Sequence, residues 1–112
     1  YPMHNFSFPA PVKAWFDSVM QKGVTWDFSP DGYAGLLKGK KALVLTSSGG
    51  VYEGGLAFLE HSETLAKVEL GFMGLEAETV TAAGMNKFPD KVDSIIAAAQ
   101  KKALAVLEKW LA

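Results

Sequence analysis

No cysteine occurs among the 112 residues, which excludes a disulfide framework, thiolate metal sites and a cysteine nucleophile. That absence is compatible with a reducing compartment, and the cytoplasm is the default expectation. Neither sign of charge is in excess: 11 basic residues face 12 acidic ones, for a formal net charge of -1. The lysines are scattered singly or in pairs such as Lys40-Lys41 and Lys101-Lys102, as solvated helix ends would be. They form no basic stripe, so no nucleic-acid partner is expected. No apolar run approaches the roughly 20 residues of a membrane span, and no signal peptide stands at the amino end. No membrane partner is expected either. What the chain does have is apolar material, 49% of its residues, enough for one hydrophobic core and at most one domain.

Hydrophobic spacing divides that material into alternating elements. Val12, Trp15, Phe16, Val19 and Met20 recur at helical intervals, with Pro11 suited to a first turn and Gly23 to a stop. Thr25-Trp26-Asp27-Phe28 alternates and breaks at Ser29-Pro30-Asp31-Gly32, which predicts a short extended connector. Lys40 to Thr46 is a continuous apolar run of the kind that forms a strand covered on both faces. Phe58 to Leu70 predicts a helix stopped by Gly71, and Glu78 to Ala83 a second strand stopped by Gly84. Val92, Ile95, Ile96, Ala99, Ala103, Val106, Leu107 and Trp110 mark a long terminal amphipathic helix. Trp15, Trp26, Phe28 and Trp110 are expected mainly in core packing, with Trp26 or Phe28 as alternative walls of a substrate pocket.

The order helix, strand, helix, strand, helix implies an α/β fold with a parallel sheet. Two strands are too few for one, because a parallel sheet is buried on both faces and must manage both edges. The chain is therefore expected to be a fragment of a domain, or to take its remaining strands from another chain. Two loops, Tyr1-Pro2-Met3-His4-Asn5-Phe6 and Thr46-Ser47-Ser48-Gly49-Gly50, fall where open α/β sheets hold flat, anionic ligands. Glycine in such loops lets backbone donors and acceptors come close to a heterocycle.

Six segments together carry a family resemblance: Pro2-Met3-His4-Asn5-Phe6, Pro11-Val12-Lys13-Ala14-Trp15-Phe16-Asp17, Gly23-Val24-Thr25-Trp26, Gly35-Leu36-Leu37-Lys38-Gly39-Lys40-Lys41, Thr46-Ser47-Ser48-Gly49-Gly50 and Leu70-Gly71-Phe72-Met73-Gly74. In order and spacing they are similar to the carboxyl-terminal three fifths of the FMN-dependent NADH-azoreductases, flavodoxin-like quinone reductases some of which carry the label acyl carrier protein phosphodiesterase. The resemblance implies a single partial flavodoxin-like domain over residues 1–112, with the first strands and the phosphate loop absent. It implies FMN bound by Met3, His4, Asn5 and Phe6, largely through backbone groups, and by Ser47, Ser48, Gly49 and Gly50 at the pyrimidine side of the ring. His4 stands where the family more usually has tyrosine, and Ser48 where many members have arginine.

The reaction so implied is hydride transfer from NADH or NADPH to the flavin and on to a quinone or azo compound, in a homodimer. No catalytic residue and no metal ligand is assigned, since the cofactor carries the chemistry. His61 is read as an exposed loop or helix residue. The rival readings are a noncatalytic flavodoxin-type electron carrier, disfavoured by the near-neutral charge, and an inactive fragment of the reductase.

Overall fold

A computed structural model describes all residues, 1–112. The apolar run in the middle of the chain becomes β3 (Lys41–Ser47) and the later β-rich run becomes β4 (Glu76–Ala82), paired parallel with Lys41 opposite Glu76 and Ser47 opposite Ala82. Helix α2 (Glu63–Phe72) makes the crossover between them. Ahead of this unit lie helix α1 (Ala10–Val19) and two short strands, β1 (Trp26–Ser29) and β2 (Gly32–Gly35). Helix α3 (Val92–Leu111) closes the chain.

Period-two alternation sorts the sheet residues between two faces. Ala42 and Val44 of β3 and Ala77 of β4 pack against Phe8, Phe16, Ala66, Leu70 and Met73, which form the core beneath α1 and α2. On the opposite face Lys109 of α3 bonds Glu78 at 3.3 Å, and Lys41 lies over the Trp110 ring at 5.5 Å. This second layer is thin: α3 has no buried residue, and Leu45 of β3 is 52% exposed.

Several expectations need correction. Trp26–Gly35 is an antiparallel hairpin, with Trp26 opposite Gly35, and not a plain connector. Its second strand carries two glycines and no β-branched residue, so its pairing rests on tertiary contact. Trp26 and Tyr33 both pack on Phe72 of α2, at ring-centroid distances of 5.2 and 5.3 Å. Residues Gly54–Leu59 form a separate 3-10 turn, and α2 starts only at Glu63, because Glu60 caps it there: its carboxylate accepts the amides of Ser62 (2.7 Å), Glu63 (2.6 Å) and Thr64 (3.3 Å). The helix runs through Gly71 and ends before Gly74, whose φ of 98° suits glycine. Trp15 and Phe28 are more than half exposed and do not belong to the core.

The open edge of β3 is also not wholly bare. Tyr1 donates its amino group to the Leu45 carbonyl (2.8 Å), Ser47 N–H donates to Tyr1 O (3.1 Å) and Met3 N–H to Ser47 O (2.7 Å). Tyr1 to Met3 thus form a stub of a third parallel strand, bridged at Pro2 to Ser47. Beyond the stub an apolar groove of about 420 Å³ follows the edge, lined by Tyr1, Val12, Trp15, Phe16, Leu43 and Leu45 among others.

Candidate functional site

The strand stub brings the two sequence-predicted loops together. Through the bond from Met3 to Ser47, the loop Met3 to Phe6 emerges beside the loop Ser47 to Gly50, both at the carboxyl ends of parallel strands. The first loop is folded tightly, since His4 and Ser7 exchange backbone bonds of 2.9 and 3.1 Å. That turn forces Asn5 (φ 48°) and Phe6 (φ 70°) into left-handed conformations, the only non-glycine residues of the chain with positive φ. Strain of this kind concentrates where backbone groups are aimed at something. Here the amides of Asn5 and Phe6 donate to no group of the protein.

The second loop is braced by its own serine and by the segment after β4. Ser48 is buried and its hydroxyl donates to Gly50 O at 2.9 Å, so it fixes the loop and does not face outward. Ser48 and Gly49 carbonyls accept the amides of Met85 (3.0 Å), Asn86 (3.0 Å) and Lys87 (2.9 Å), while Gly84 N–H donates to Gly50 O (3.0 Å). All the carbonyls of the glycine pair are thereby consumed, and the N–H groups of Gly49 and Gly50 remain free. A Cβ at Gly49 would come within 2.5 Å of the Asn86 side-chain nitrogen, and one at Gly50 within 3.2 Å of the Tyr52 ring. A Cβ at Gly49 would need the Asn86 side chain to swing aside, and one at Gly50 would need the Tyr52 ring to give by a few tenths of an ångström. Tyr52 in turn meets Phe6 edge-on at 6.0 Å, giving the paired loops an aromatic flank.

Of the eight candidate residues, Met3, Ser47 and Ser48 line a cavity of about 300 Å³ that continues beneath the loops. His4, Asn5 and Phe6 are exposed, Gly49 and Gly50 are half-buried, and none of these five lines that cavity. The cavity is walled by Thr46, Thr79 and Thr81 of the sheet, by Glu60, Ser62 and Glu63 at the start of α2, and by Tyr52, Glu53 and Lys102. Burial, and next the charge of Glu60, raises the Glu63 carboxyl above its ordinary value. Thr81 shares a hydrogen bond with that carboxyl. Three carboxylates against one lysine make this a poor place for a phosphate and a suitable one for uncharged or cationic donors.

Sequence reasoning misses this wall and the Asn86 brace. The one signal for the wall is the run Glu60-His61-Ser62-Glu63 ahead of an apolar helix, the composition of a helix start. Asn86 carries no such signal, because its partner lies across the sheet. Neither histidine enters a cluster: no grouping of three or more His, Asp or Glu residues able to hold a metal is present.

Comparison with known proteins agrees with this architecture. A family model described as flavodoxin-like fold matches residues 1–107. The chain is 41% identical over 108 residues to FMN-dependent NADH:quinone oxidoreductase 3 of Pseudomonas aeruginosa, covering 96% of this chain and 50% of that protein. It is 40% identical over 111 residues to a Bacillus cereus protein of the same description, covering 97% and 53%. Among solved structures, an azoreductase from Bacillus anthracis superposes with a TM-score of 0.87 at 36% identity, over 97% of this chain and 53% of that one. An FMN-dependent NADH-azoreductase from the same species, in complex with FMN, superposes with a TM-score of 0.71 at 28% identity over 91% and 53%. The chain spans about half the length of the curated relatives it matches.

Proposed function

Because this chain belongs to the flavodoxin-like fold family, matched over residues 1–107, we propose that it supplies the ring-binding part of an FMN-dependent reductase that passes hydride from NADH or NADPH to quinones or azo compounds. The observation that carries this reading is the pair of adjoining loops with free amides at Asn5, Phe6, Gly49 and Gly50. A flavin ring has carbonyl and imide edges, and unpaired backbone donors in a glycine-lined rim match them without any side-chain charge. Met3 and His4 extend the rim on one side, Ser47 and Ser48 on the other. Ser48 acts by fixing the loop through its bond to Gly50. FMN, when bound, supplies the hydride-accepting and hydride-donating chemistry. The protein's own groups orient the ring and keep water from its face, with Phe6 and Tyr52 as the apolar flank.

The phosphate of the cofactor must be held elsewhere, since the cavity beneath the loops is lined by Glu53, Glu60 and Glu63. Strands and a phosphate loop from the remainder of a full-length domain, docking on the groove beside β3, would complete the site. The names of the relatives, FMN-dependent NADH:quinone oxidoreductases and an azoreductase with FMN, support the substrate classes. We place the complete protein in the cytoplasm as a homodimer. Exposed Phe28 and Tyr33 on the hairpin give it apolar surface to bury on association. No helix is long and apolar enough to cross a membrane.

Flavin titration of the 112-residue chain beside a longer version carrying the upstream strands and phosphate loop tests the reading. The longer version should bind at least about 100-fold more tightly and reduce quinones, because each lost charge-assisted bond to phosphate is worth about 1.5–3 kcal/mol. Equal affinity would show that the ring loops are not half of the site.

A further inference from the structure

The turn after β4 holds against the glycine loop a polar side chain that nothing in the protein uses. Three consecutive N–H groups of that turn, from Met85, Asn86 and Lys87, donate to the carbonyls of Ser48 and Gly49, and Phe88 N–H closes the turn onto Gly84 O at 2.8 Å. Backbone bonds thereby fix Asn86 in place. Its carboxamide is exposed and makes no hydrogen bond within the protein. The carboxamide lies on Gly49, with its nitrogen 2.5 Å from the point that a Gly49 Cβ would occupy. Standard backbone geometry then puts Asn86 Nδ2 within about 5 Å of the Gly49 nitrogen, whose N–H is also free. Two unpaired donors stand side by side, one on the backbone and one on a side chain. The side-chain atoms nearest the Cβ positions of Gly49 and Gly50 belong to Asn86 and Tyr52, both uncharged. Ser48 is buried and directs its hydroxyl to Gly50 O.

We infer that the Asn86 carboxamide donates from Nδ2 to the same carbonyl-bearing edge of the flavin ring that the Gly49 amide addresses, and that it holds the reduced ring more tightly than the oxidised one. The inference rests on the flavin reading and adds to it a side chain outside the eight residues assigned to the site. A reduced flavin carries more negative charge on the nitrogen and carbonyl of its pyrimidine end than an oxidised one does. A donor already fixed there gains strength on reduction. With uncharged side chains nearest the glycines, that charge falls to neutral donors, and Asn86 is the one that can be altered without touching the backbone. Because the turn holds Asn86 beforehand, its donor needs little ordering when the ring binds. A group that binds both forms alike leaves the reduction potential unchanged. One that favours the reduced form raises it.

Two measurements test it. When the 112-residue chain is titrated with FMN, the NMR signals of the Asn86 side-chain NH2 group should shift and saturate together with the Gly49 amide. A shift at Gly49 without one at Asn86 overturns the inference and leaves the flavin reading standing; no shift at either overturns both. In the full-length protein loaded with FMN, Asn86→Leu keeps most of the bulk and removes the donor. It should weaken binding of reduced flavin about tenfold relative to oxidised flavin, which is a fall in reduction potential of about 30 mV for two electrons. Asn86→Asp keeps the shape and puts a carboxylate where the donor was, so it should lower the potential further, and it serves alone if the leucine variant does not fold. A purely structural role would loosen both forms alike. A potential equal to the parent's in the folded variants, whatever their affinity for FMN, would overturn the inference.

Discussion

Gly49 packs tightly on Asn86, whose side chain must shift to admit a Cβ, while the Gly49 amide is free. Gly49→Val should therefore displace the loop and weaken flavin binding at least about tenfold in the full-length protein, by loss of one or more hydrogen bonds. Helix content should change little. An unchanged flavin dissociation constant would count against the assigned position. At Glu63 the expected effect is on stability. Its carboxyl is raised in the fold by burial and by Glu60, so the folded state holds its proton more tightly than the unfolded chain does. That stabilisation is complete below the ordinary glutamate value and is lost as pH rises through the raised folded value. Glu63→Gln should thus gain in melting temperature relative to the parent as pH rises from about 4 to 7, and a constant difference across that range would refute the assignment. The glycines of this loop are legible in the sequence, but Asn86 and Glu63 are not, because their significance arises only when β4 and α2 fold against β3.

Among the elements, the parallel pair β3 and β4 and the long α3 follow directly from apolar runs and spacing, and their bounds move by only a residue or two from those expected. The hairpin does not. Its turn, Ser29-Pro30-Asp31-Gly32, is visible, yet Gly32-Tyr33-Ala34-Gly35 lacks the β-branched alternation that marks a strand. Gly35 is there for a packing reason: a Cβ on it would lie 2.3 Å from the backbone nitrogen of Gly74, at the point where Leu37 N–H also bonds Met73 O (2.9 Å). Backbone cannot yield as a flexible side chain can. Gly35→Ala should consequently cost about 3 kcal/mol or more, at the upper end of overpacking penalties, and uncouple the hairpin from α2. Thermal unfolding with Trp26 fluorescence reads both effects, and a melting temperature within a degree of the parent would refute the contact. The expected stop at Gly71 fails because a glycine inside a helix costs only about 1 kcal/mol, which the packing of Leu70 and Phe72 on either side offsets.

For the whole molecule, the sheet has one managed end and one open stretch. Leu45 and Ser47 turn their backbone groups to the Tyr1–Met3 stub, and by the alternation of a parallel ladder Lys41 and Leu43 turn theirs to the same edge, where no strand of this chain pairs with them. The expectation of too few strands came from the need of a parallel sheet to bury both faces and manage both edges, and the groove beside β3 is the structural counterpart of the second need. The stub could not be read from sequence, since three residues carry no period. The central claim is that the free amides of two adjoining loops address a flavin ring, and amide NMR of the 112-residue chain during titration with FMN tests it most directly. The account predicts the largest shifts at Asn5, Phe6, Gly49 and Gly50, weak in affinity but saturable. Shifts centred instead on the apolar groove or on α3, or none at those four amides at saturating flavin, would contradict it.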